Sequence, residues 1–347
     1  MQQPQYIQDI LAQPDALRIA LQHYPAQQMD LLRKRMAANE FSRIVLTGMG
    51  SSYNGAYAAF LELLGLPIPT LLLNSAELLH YGLSAVDGKS LLWMNSQSGQ
   101  SAEIIRIIEA LTDRRPAFQL SMTNYVDSPL AQHADLAVPI HAGNEATVST
   151  KTYINMAAYL LLAAWQLRGK DWQQLQQYMF EAADAIEAYL KKWLDEVAQL
   201  DHLLQDTMKM IIIGRGASMG AVWNGSLVNK EAAKCTFEGM NAADFRHGPL
   251  ELVAPDLTVL AFEGASHTAG LNYNLALEIK KLGGKALWIA TQNSEELPTI
   301  LLPHVTHEEV LPLVEILPMQ LLSIVMAKRN GYTPGEFRHV GKITLVE

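Results

Sequence analysis

The chain has 347 residues, of which 49% are hydrophobic and 18% are charged, and its formal net charge is -9. This length suits two domains better than one, and the composition is that of a globular protein. The acidic balance disfavours nucleic acid as a partner, and no uncharged apolar run of about 18 residues predicts a membrane span. The longest apolar run, 156–165, predicts a buried helix.

Two features of the sequence point to a cytoplasmic location. The first nine residues are rich in Gln and lack the basic-then-apolar order of a signal peptide. Cys235 is the only cysteine, so no internal disulfide can form. We expect Cys235 to be a buried thiol. His304 and His307 have no third ligand at a matching spacing, so they predict loop histidines and no metal site.

The first half of the chain alternates strand and helix patterns after a helical segment over 1–40. Short apolar runs that predict strands occur at 43–46, 70–73, 91–94, 118–122 and 136–140. Helical patterns lie between most of them, at 53–64 and 102–111 among others. This alternation predicts a parallel sheet with helices on both faces.

The second half repeats this alternation after a connector. Residues 171–206 have no strand pattern and are rich in helix-forming residues, so they predict two helices. Further strands are predicted at 210–213, 258–262 and 286–290, with helices at 218–235, 271–282 and 313–329. We therefore predict an α/β fold of two stacked domains, each a parallel sheet with flanking helices. The predicted domains are 41–170 and 208–334, with a connector at 171–207 and a tail at 335–347.

A strand followed by Gly-x-Gly occurs in both halves, at 48–50 and at 214–216. The two copies are 166 positions apart, which suits a duplicated domain. A dinucleotide-binding turn would need a third glycine, where Tyr53 and Met219 stand, and an acidic residue where the next strand ends in Asn74. A P-loop is excluded because no Gly-Lys-Ser/Thr follows.

The segment 95–101, Asn-Ser-Gln-Ser-Gly-Gln-Ser, lies between a predicted strand and a predicted helix. Hydroxyl and amide groups at a helix N-terminus, with a glycine that lets backbone N–H groups converge, can hold a phosphate without a cation. Ser51 and Ser52 begin the helix after the first glycine turn in the same way. An ordinary cap, with Ser101 as N-cap and Glu103 in the first turn, is the alternative.

These segments resemble the sugar isomerase (SIS) domain family, in particular the isomerase half of glucosamine-6-phosphate synthase and related phosphosugar deglycases. The resemblance runs from about residue 44 to the C-terminus. It depends on the order and spacing of several short motifs, at 50–54, 96–99, 148–151, 214–216, 230–231, 247–250 and 342.

The resemblance implies roles for individual residues of this chain. The implied phosphate-binding residues are Ser51, Ser52, Ser96, Gln97, Ser98 and Ser101. A loop formed by Val148, Ser149 and Thr150 would close on the sugar hydroxyls. Glu231 would be the acid/base, His247 would assist ring opening from the partner subunit, and Lys342 would reach the sugar. The resemblance thus implies a homodimer that binds a sugar phosphate, without a cofactor, metal, nucleic acid or membrane.

Three departures from the synthase pattern bear on the reaction. Val228 stands where the synthase has a lysine, and Met49 stands where it has a cysteine. No segment resembles its glutaminase domain, so we expect no ammonia from glutamine. These departures favour deamination or deglycation over aldose–ketose isomerisation, although one Glu–His pair can serve all three reactions.

The two catalytic candidates also fit purely structural roles. Glu231 lies in Asn-Lys-Glu-Ala-Ala-Lys, which is also typical of a solvated helix face with an i, i+3 ion pair. His247 precedes Gly-Pro, where a structural turn histidine is common. A non-catalytic regulator that senses a phosphosugar is the alternative function.

Overall fold

The computed structural model describes residues 3–205, 207, 209–339, 341, 342 and 344. The predicted segments 1–40, 171–207, 208–334 and 335–347 each include positions outside these residues. The predicted domain boundaries therefore stay predictions.

The chain forms two compact units, each built from separate stretches of sequence. The first-sheet unit comprises Asp15–Glu145, Lys151–Gln177 and the chain from Arg338 onward. The second-sheet unit comprises the chain up to Pro14, Ala146–Thr150 and Tyr178–Phe337. The C-terminal residues thus belong to the same unit as the first sheet.

The first sheet has five parallel strands in the order β2-β1-β3-β4-β5. Their bounds are Arg43–Gly48 (β1), Thr70–Asn74 (β2), Ser90–Asn95 (β3), Phe118–Thr123 (β4) and Leu136–Pro139 (β5). All five predicted strands are confirmed. Every residue of β3 is buried, as expected for a strand covered on both faces.

Nine α-helices are described before residue 170. They are Gln5–Leu11 (α1), Gln13–Gln22 (α2), Ala26–Ala37 (α3), Gly50–Gly55 (α4), Tyr57–Leu63 (α5), Ser75–Glu77 (α6), Ala102–Ala110 (α7), Pro129–His133 (α8) and Lys151–Leu167 (α9). The predicted helix 53–64 is two helices, α4 and α5, that meet at Ala56. The predicted buried run 156–165 lies in α9, which packs against α3, α4 and α5.

The second sheet has the same strand order, β7-β6-β8-β9-β10, and is also parallel. Its strands are Lys209–Gly214 (β6), Phe237–Asn241 (β7), Leu257–Phe262 (β8), Lys285–Ala290 (β9) and Thr299–Leu301 (β10). The sequence patterns missed β7 and β10. Only Phe237 of β7 is buried, so β7 has no apolar run, and β10 has only three residues.

Seven α-helices are described after residue 170, and the first two confirm the pair of helices predicted for the connector. They are Trp172–Leu190 (α10), Trp193–Leu203 (α11), Met219–Ala233 (α12), Ala242–Arg246 (α13), Ser266–Lys281 (α14), Leu311–Val314 (α15) and Ile316–Arg329 (α16). The stretch Glu308–Arg329 is long and apolar enough to cross a membrane, but 89% of its most apolar window is buried in the fold. Its last helix, α16, packs against α11 and α12, so its apolar composition is that of a core helix.

Candidate functional site

The strand order places one ligand crevice in each unit. In a parallel sheet of the order 2-1-3-4-5, the connections after strands 1 and 3 leave in opposite directions, and ligands bind outside the carboxyl ends of these two strands. Gly48 at the end of β1 pairs with Asn95 at the end of β3. We define the first crevice by residues 49–52 and 96–101, and the second crevice by residues 215–218 and 263–266, which follow β6 and β8.

The two Gly-x-Gly turns have the same geometry, which explains why the motif is repeated. Gly50 has φ +50° and Gly216 has φ +57°, a region that L-residues rarely adopt. A Cβ on Gly48 would lie 3.0 Å from the backbone oxygen of Asn95, and a Cβ on Gly214 would lie 2.9 Å from Val222. The first glycine therefore permits close packing, and the second permits the turn.

The predicted phosphate turn of the first crevice is shaped by its own hydroxyls. Ser96 Oγ accepts a hydrogen bond from Gly99 N–H at 3.1 Å, and Ser98 Oγ accepts one from Gln100 N–H at 3.3 Å. A hydroxyl that accepts in this way keeps its own O–H to donate. Ser96 and Ser98 can therefore each donate to an anion in this turn.

The turn is also anchored to the neighbouring strand β4. The carbonyl oxygen of Gln97 accepts from Asn124 N–H at 3.0 Å and from Thr123 Oγ1 at 3.2 Å. Gly99 has φ +65°, and a Cβ there would overlap the Ser128 hydroxyl. This position therefore requires glycine.

Ser101 occupies the N-cap of α7, as expected for an ordinary cap, but its side chain makes no capping hydrogen bond. Instead, Ala102 N–H donates to the carbonyl oxygen of Thr344 at 3.1 Å. Glu103 is buried in the first turn of the helix. Within the described residues, the Ser101 hydroxyl is therefore not explained by capping.

The first-sheet unit also contains Ser51, Ser52 and Lys342. The two serines are partly buried at the start of α4, directly after the first glycine turn. Lys342 Nζ forms an ion pair with Glu145 Oε2 at 2.7 Å, and the Glu145 side chain is fully buried. The sequence pattern gives no sign of a role for Glu145, because one acidic residue before a helix is not distinctive.

The remaining predicted site residues belong to the second-sheet unit. Glu231 is partly buried near the C-terminal end of α12, and His247 is exposed just after α13. Val148 and Thr150 are buried and Ser149 is partly buried. The predicted site residues are thus divided between the two units.

The surroundings of Glu231 differ from those of a simple solvated helix face. Lys234 Nζ donates to the backbone carbonyl oxygen of Glu231 at 2.6 Å and also to that of Glu336. Val228, one helical turn before Glu231, is completely buried. The position that carries a lysine in the synthase pattern is therefore part of the apolar core of this unit.

Three polar groups of the second crevice have partners in the protein. Ser218 Oγ donates to Glu315 Oε1 at 2.8 Å, and Arg215 Nε donates to Asn272 Oδ1 at 2.9 Å. At the N-terminus of α14, Ser266 N–H donates to Glu308 Oε2 at 2.8 Å. Side chains of the protein itself therefore bind Ser218, Arg215 and the N-terminus of α14, which line this crevice.

Glu315 is a buried carboxyl that the sequence analysis did not identify. Burial raises the pKa of Glu315 to about 7, the hydrogen bond from Ser218 opposes this rise, and the nearby Glu263 adds to it. Its Oε2 is buried with no partner among the described residues. Because it lies in an otherwise apolar helical stretch, sequence pattern alone gives no sign of its environment.

The histidines and the cysteine singled out in the sequence lie within the described part of the chain. No group of three or more His, Cys, Asp or Glu residues that could hold a metal ion is found there. His307 stacks on Tyr178 with ring centroids 3.4 Å apart. Cys235 is buried, as predicted, and burial raises the pKa of its thiol.

A model of the SIS domain matches residues 39–165 and again residues 203–327. These two matches cover most of the chain and coincide with the two sheets. The chain belongs to the SIS domain family. Its two parallel five-stranded sheets with flanking helices are two copies of the fold of that domain.

Known relatives include enzymes of amino-sugar metabolism. A glutamine–fructose-6-phosphate aminotransferase (isomerizing) from Pyrococcus horikoshii is 27% identical over 350 residues, covering 98% of this chain and 57% of that protein. The chain thus spans just over half the length of this relative.

Solved structures with the same fold include two proteins with different described activities. The C-terminal domain of a glucosamine-fructose-6-phosphate aminotransferase from Francisella tularensis is 23% identical, with a TM-score of 0.82, over 96% of this chain and 98% of that one. A glucosamine-6-phosphate deaminase from Thermotoga maritima is 18% identical, with a TM-score of 0.76, over 99% of this chain and 100% of that one.

Proposed function

We propose that this protein is an enzyme that transfers a proton between C1 and C2 of a sugar or amino-sugar 6-phosphate. The main support is the first crevice of an SIS-family chain, where a rigid turn presents serine hydroxyls that helix capping does not explain. Membership of the family supports the substrate class, and the turn indicates where its phosphate would bind. We further propose deamination or deglycation in preference to aldose–ketose isomerisation.

The phosphate would bind at residues 96–101 through hydroxyl and amide donors. Ser96, Ser98 and Ser101 lie in the turn before α7, whose helix dipole favours an anion. Because Ala102 N–H already donates to Thr344, the serine hydroxyls would supply the donors. Gln97 would add an amide donor from the same turn, and Ser51 and Ser52 would add hydroxyl donors from the turn after β1. The loop of Val148, Ser149 and Thr150 would cover the sugar hydroxyls.

In the proposed reaction, His247 moves a proton between O5 and O1, which opens the ring. Glu231 then removes a proton from one carbon of the open chain and returns it to the neighbouring carbon. When the substrate carries nitrogen at C1 or C2, the resulting imine is hydrolysed by water, and the amine leaves. A positioned acid/base of this kind contributes roughly 10²- to 10⁴-fold to the rate.

The preference for release of an amine depends on Val228. A completely buried valine stands one turn before Glu231, where the synthase pattern has a cation. A valine side chain cannot stabilise negative charge on the substrate as the ammonium group of a lysine would. The glucosamine-6-phosphate deaminase from Thermotoga maritima, which has the same fold, supports this preference.

Proton NMR in D₂O tests the proposal directly. Fructose 6-phosphate, glucosamine 6-phosphate and a fructose-amino acid 6-phosphate would each be mixed with the wild type, with Glu231→Gln and with Glu295→Gln, an exposed control carboxylate in the same unit. We expect deuterium at C1 or C2, or release of amine, that Glu231→Gln slows by roughly 10²-fold or more and Glu295→Gln does not change. Ligand-induced stabilisation without exchange would favour the non-catalytic sensor.

Mixing two inactive variants tests the proposed homodimer. If His247 reaches the active site of the partner subunit, Glu231→Gln and His247→Ala subunits together form mixed dimers that have one intact site. Random exchange would restore about a quarter of the wild-type activity, because half of the dimers are mixed and each has one working site of two. No recovery after verified subunit exchange would place His247 outside the partner's site.

A further inference from the structure

The described residues from Arg338 onward, here called the C-terminal strap, make two polar contacts with the first-sheet unit. Lys342 Nζ lies 2.7 Å from Glu145 Oε2. The carbonyl oxygen of Thr344 accepts from Ala102 N–H at 3.1 Å. One contact is thus an ion pair, and the other ends at the residue after Ser101, at the edge of the candidate phosphate turn.

The carboxylate of Glu145 is also bound by the start of α9. It accepts from Thr152 N–H at 3.1 Å and from Thr152 Oγ1 at 2.5 Å. A carboxylate near a helix N-terminus is favoured by the unpaired N–H groups and the helix dipole. Helix α9 is 17 residues long and almost completely buried, so its N-terminus is a rigid support.

The burial of Glu145 explains why it needs a cation. Its side chain has no exposed surface, while that of Lys342 is 20% exposed. Burying a carboxylate is costly unless hydrogen bonds and an opposite charge compensate for it. Thr152 supplies the hydrogen bonds, and Lys342 supplies the charge.

We propose that Glu145 is a positioning residue, which fixes the ammonium group of Lys342 and thereby holds the C-terminal strap against the phosphate turn. The role of Lys342 toward substrate rests on the proposed function, whereas docking of the strap does not. When the strap is docked, the Thr344 carbonyl satisfies the first N–H of α7. The strap can then guide Lys342 to the sugar, whose phosphate lies beside that helix end.

Hydrogen exchange of the C-terminal peptide tests docking without any substrate. Glu145→Gln and Lys342→Met should each raise exchange in that peptide about tenfold, because each removes a charge-assisted hydrogen bond. Thr152→Val keeps both charges of the ion pair and should raise the exchange of the C-terminal peptide less. Glu315→Gln, which alters a buried carboxyl of the other unit, is the matched control and should leave it unchanged.

Kinetics distinguish positioning from a purely structural role. We expect Glu145→Gln to lower kcat by roughly 10- to 100-fold with a smaller change in KM, since misplacement of a group by about 1 Å can cost about 10²-fold. In a Lys342→Met background, Glu145→Gln should lower kcat no further. Lys342→Arg, which keeps the cation, should recover part of the docking and of the rate.

Two results would overturn the proposal. Unchanged exchange of the C-terminal peptide in both Glu145→Gln and Lys342→Met, in correctly folded protein, would show that the ion pair does not hold the strap. Independent, additive effects of the two substitutions on kcat would show that Glu145 does not act through Lys342. If the wild type has no activity on any phosphosugar, the exchange experiment still decides whether the strap is docked.

Discussion

The two crevices share a strand order and a glycine turn, but they differ in the state of their polar groups. In the first crevice, Ser96 and Ser98 accept hydrogen bonds from their own turn and keep their O–H donors. In the second, Ser218 donates its hydroxyl proton to Glu315, and Glu308 occupies the N-terminus of α14. The first N–H of the following helix has an internal acceptor in both crevices, but only the first crevice keeps serine O–H donors for an anion.

The difference shows which features a duplicated domain must keep. The backbone of each turn is needed for the fold, so both copies retain a glycine with positive φ, Gly50 and Gly216. Serine hydroxyls follow the third strand in both copies, but Ser266 of the second copy is bound to Glu308, whereas Ser96 and Ser98 of the first copy keep their O–H donors. Function therefore depends on the side chains of a site and not on the fold alone.

The largest expected effect comes from adding a methyl group to the first crevice. Gly99→Ala would force an L-residue into φ +65° and against the Ser128 hydroxyl, so we expect it to abolish phosphosugar binding and to lower stability by more than about 2 kcal/mol. In the second crevice, Gly216→Ala has open space around the added Cβ. It should cost only about 1–2 kcal/mol and leave binding intact.

Thermal unfolding and a ligand titration of both glycine variants would measure this contrast. Equal loss of binding in the two variants would contradict the assignment of the ligand to the first crevice.

The second prediction concerns the pH dependence of stability set by Glu315. Its pKa in the folded protein is raised to about 7, above the ordinary value of 4.5 for a glutamate. The unfolded chain therefore ionises first as pH rises, so the contribution of Glu315 to stability falls between pH 4.5 and pH 7 and then levels off. By this shift the fall amounts to about 3 kcal/mol.

Glu315→Gln removes the ionisable group and should abolish that fall, which makes the variant more stable than the wild type at neutral pH. Chemical denaturation at several pH values provides the measurement. Parallel pH profiles for the two proteins would show that Glu315 ionises as easily when folded as when unfolded.

A smaller effect is expected from deleting one hydroxyl. Ser98→Ala removes one donor from the candidate phosphate turn, and we expect phosphosugar binding to weaken about tenfold. Ser218→Ala is its counterpart in the second crevice and should leave binding unchanged while lowering stability, because Glu315 loses its hydrogen bond.

Isothermal titration with fructose 6-phosphate or glucosamine 6-phosphate can compare the two serine variants. The contrast between the crevices is lost if Ser218→Ala weakens binding as much as Ser98→Ala does.

The sequence predicted the architecture well, since short apolar strands and glycine turns are local patterns. It located the turn at 96–101 for the same reason. It missed β7 because only one residue of that strand is buried, and β10 because it is too short for a pattern to emerge. Nor could it show that Glu145 pairs with Lys342, because 197 positions separate them and only the tertiary fold joins them.

The most direct test of a phosphate site in the first crevice is a crystal structure with bound tungstate, a phosphate analogue whose anomalous scattering marks its position. We expect one strong site per chain, at residues 96–101, within hydrogen-bonding distance of Ser96, Ser98 and Ser101. Tungstate bound at residues 215–218 and 263–266, with the first crevice empty, would contradict this assignment.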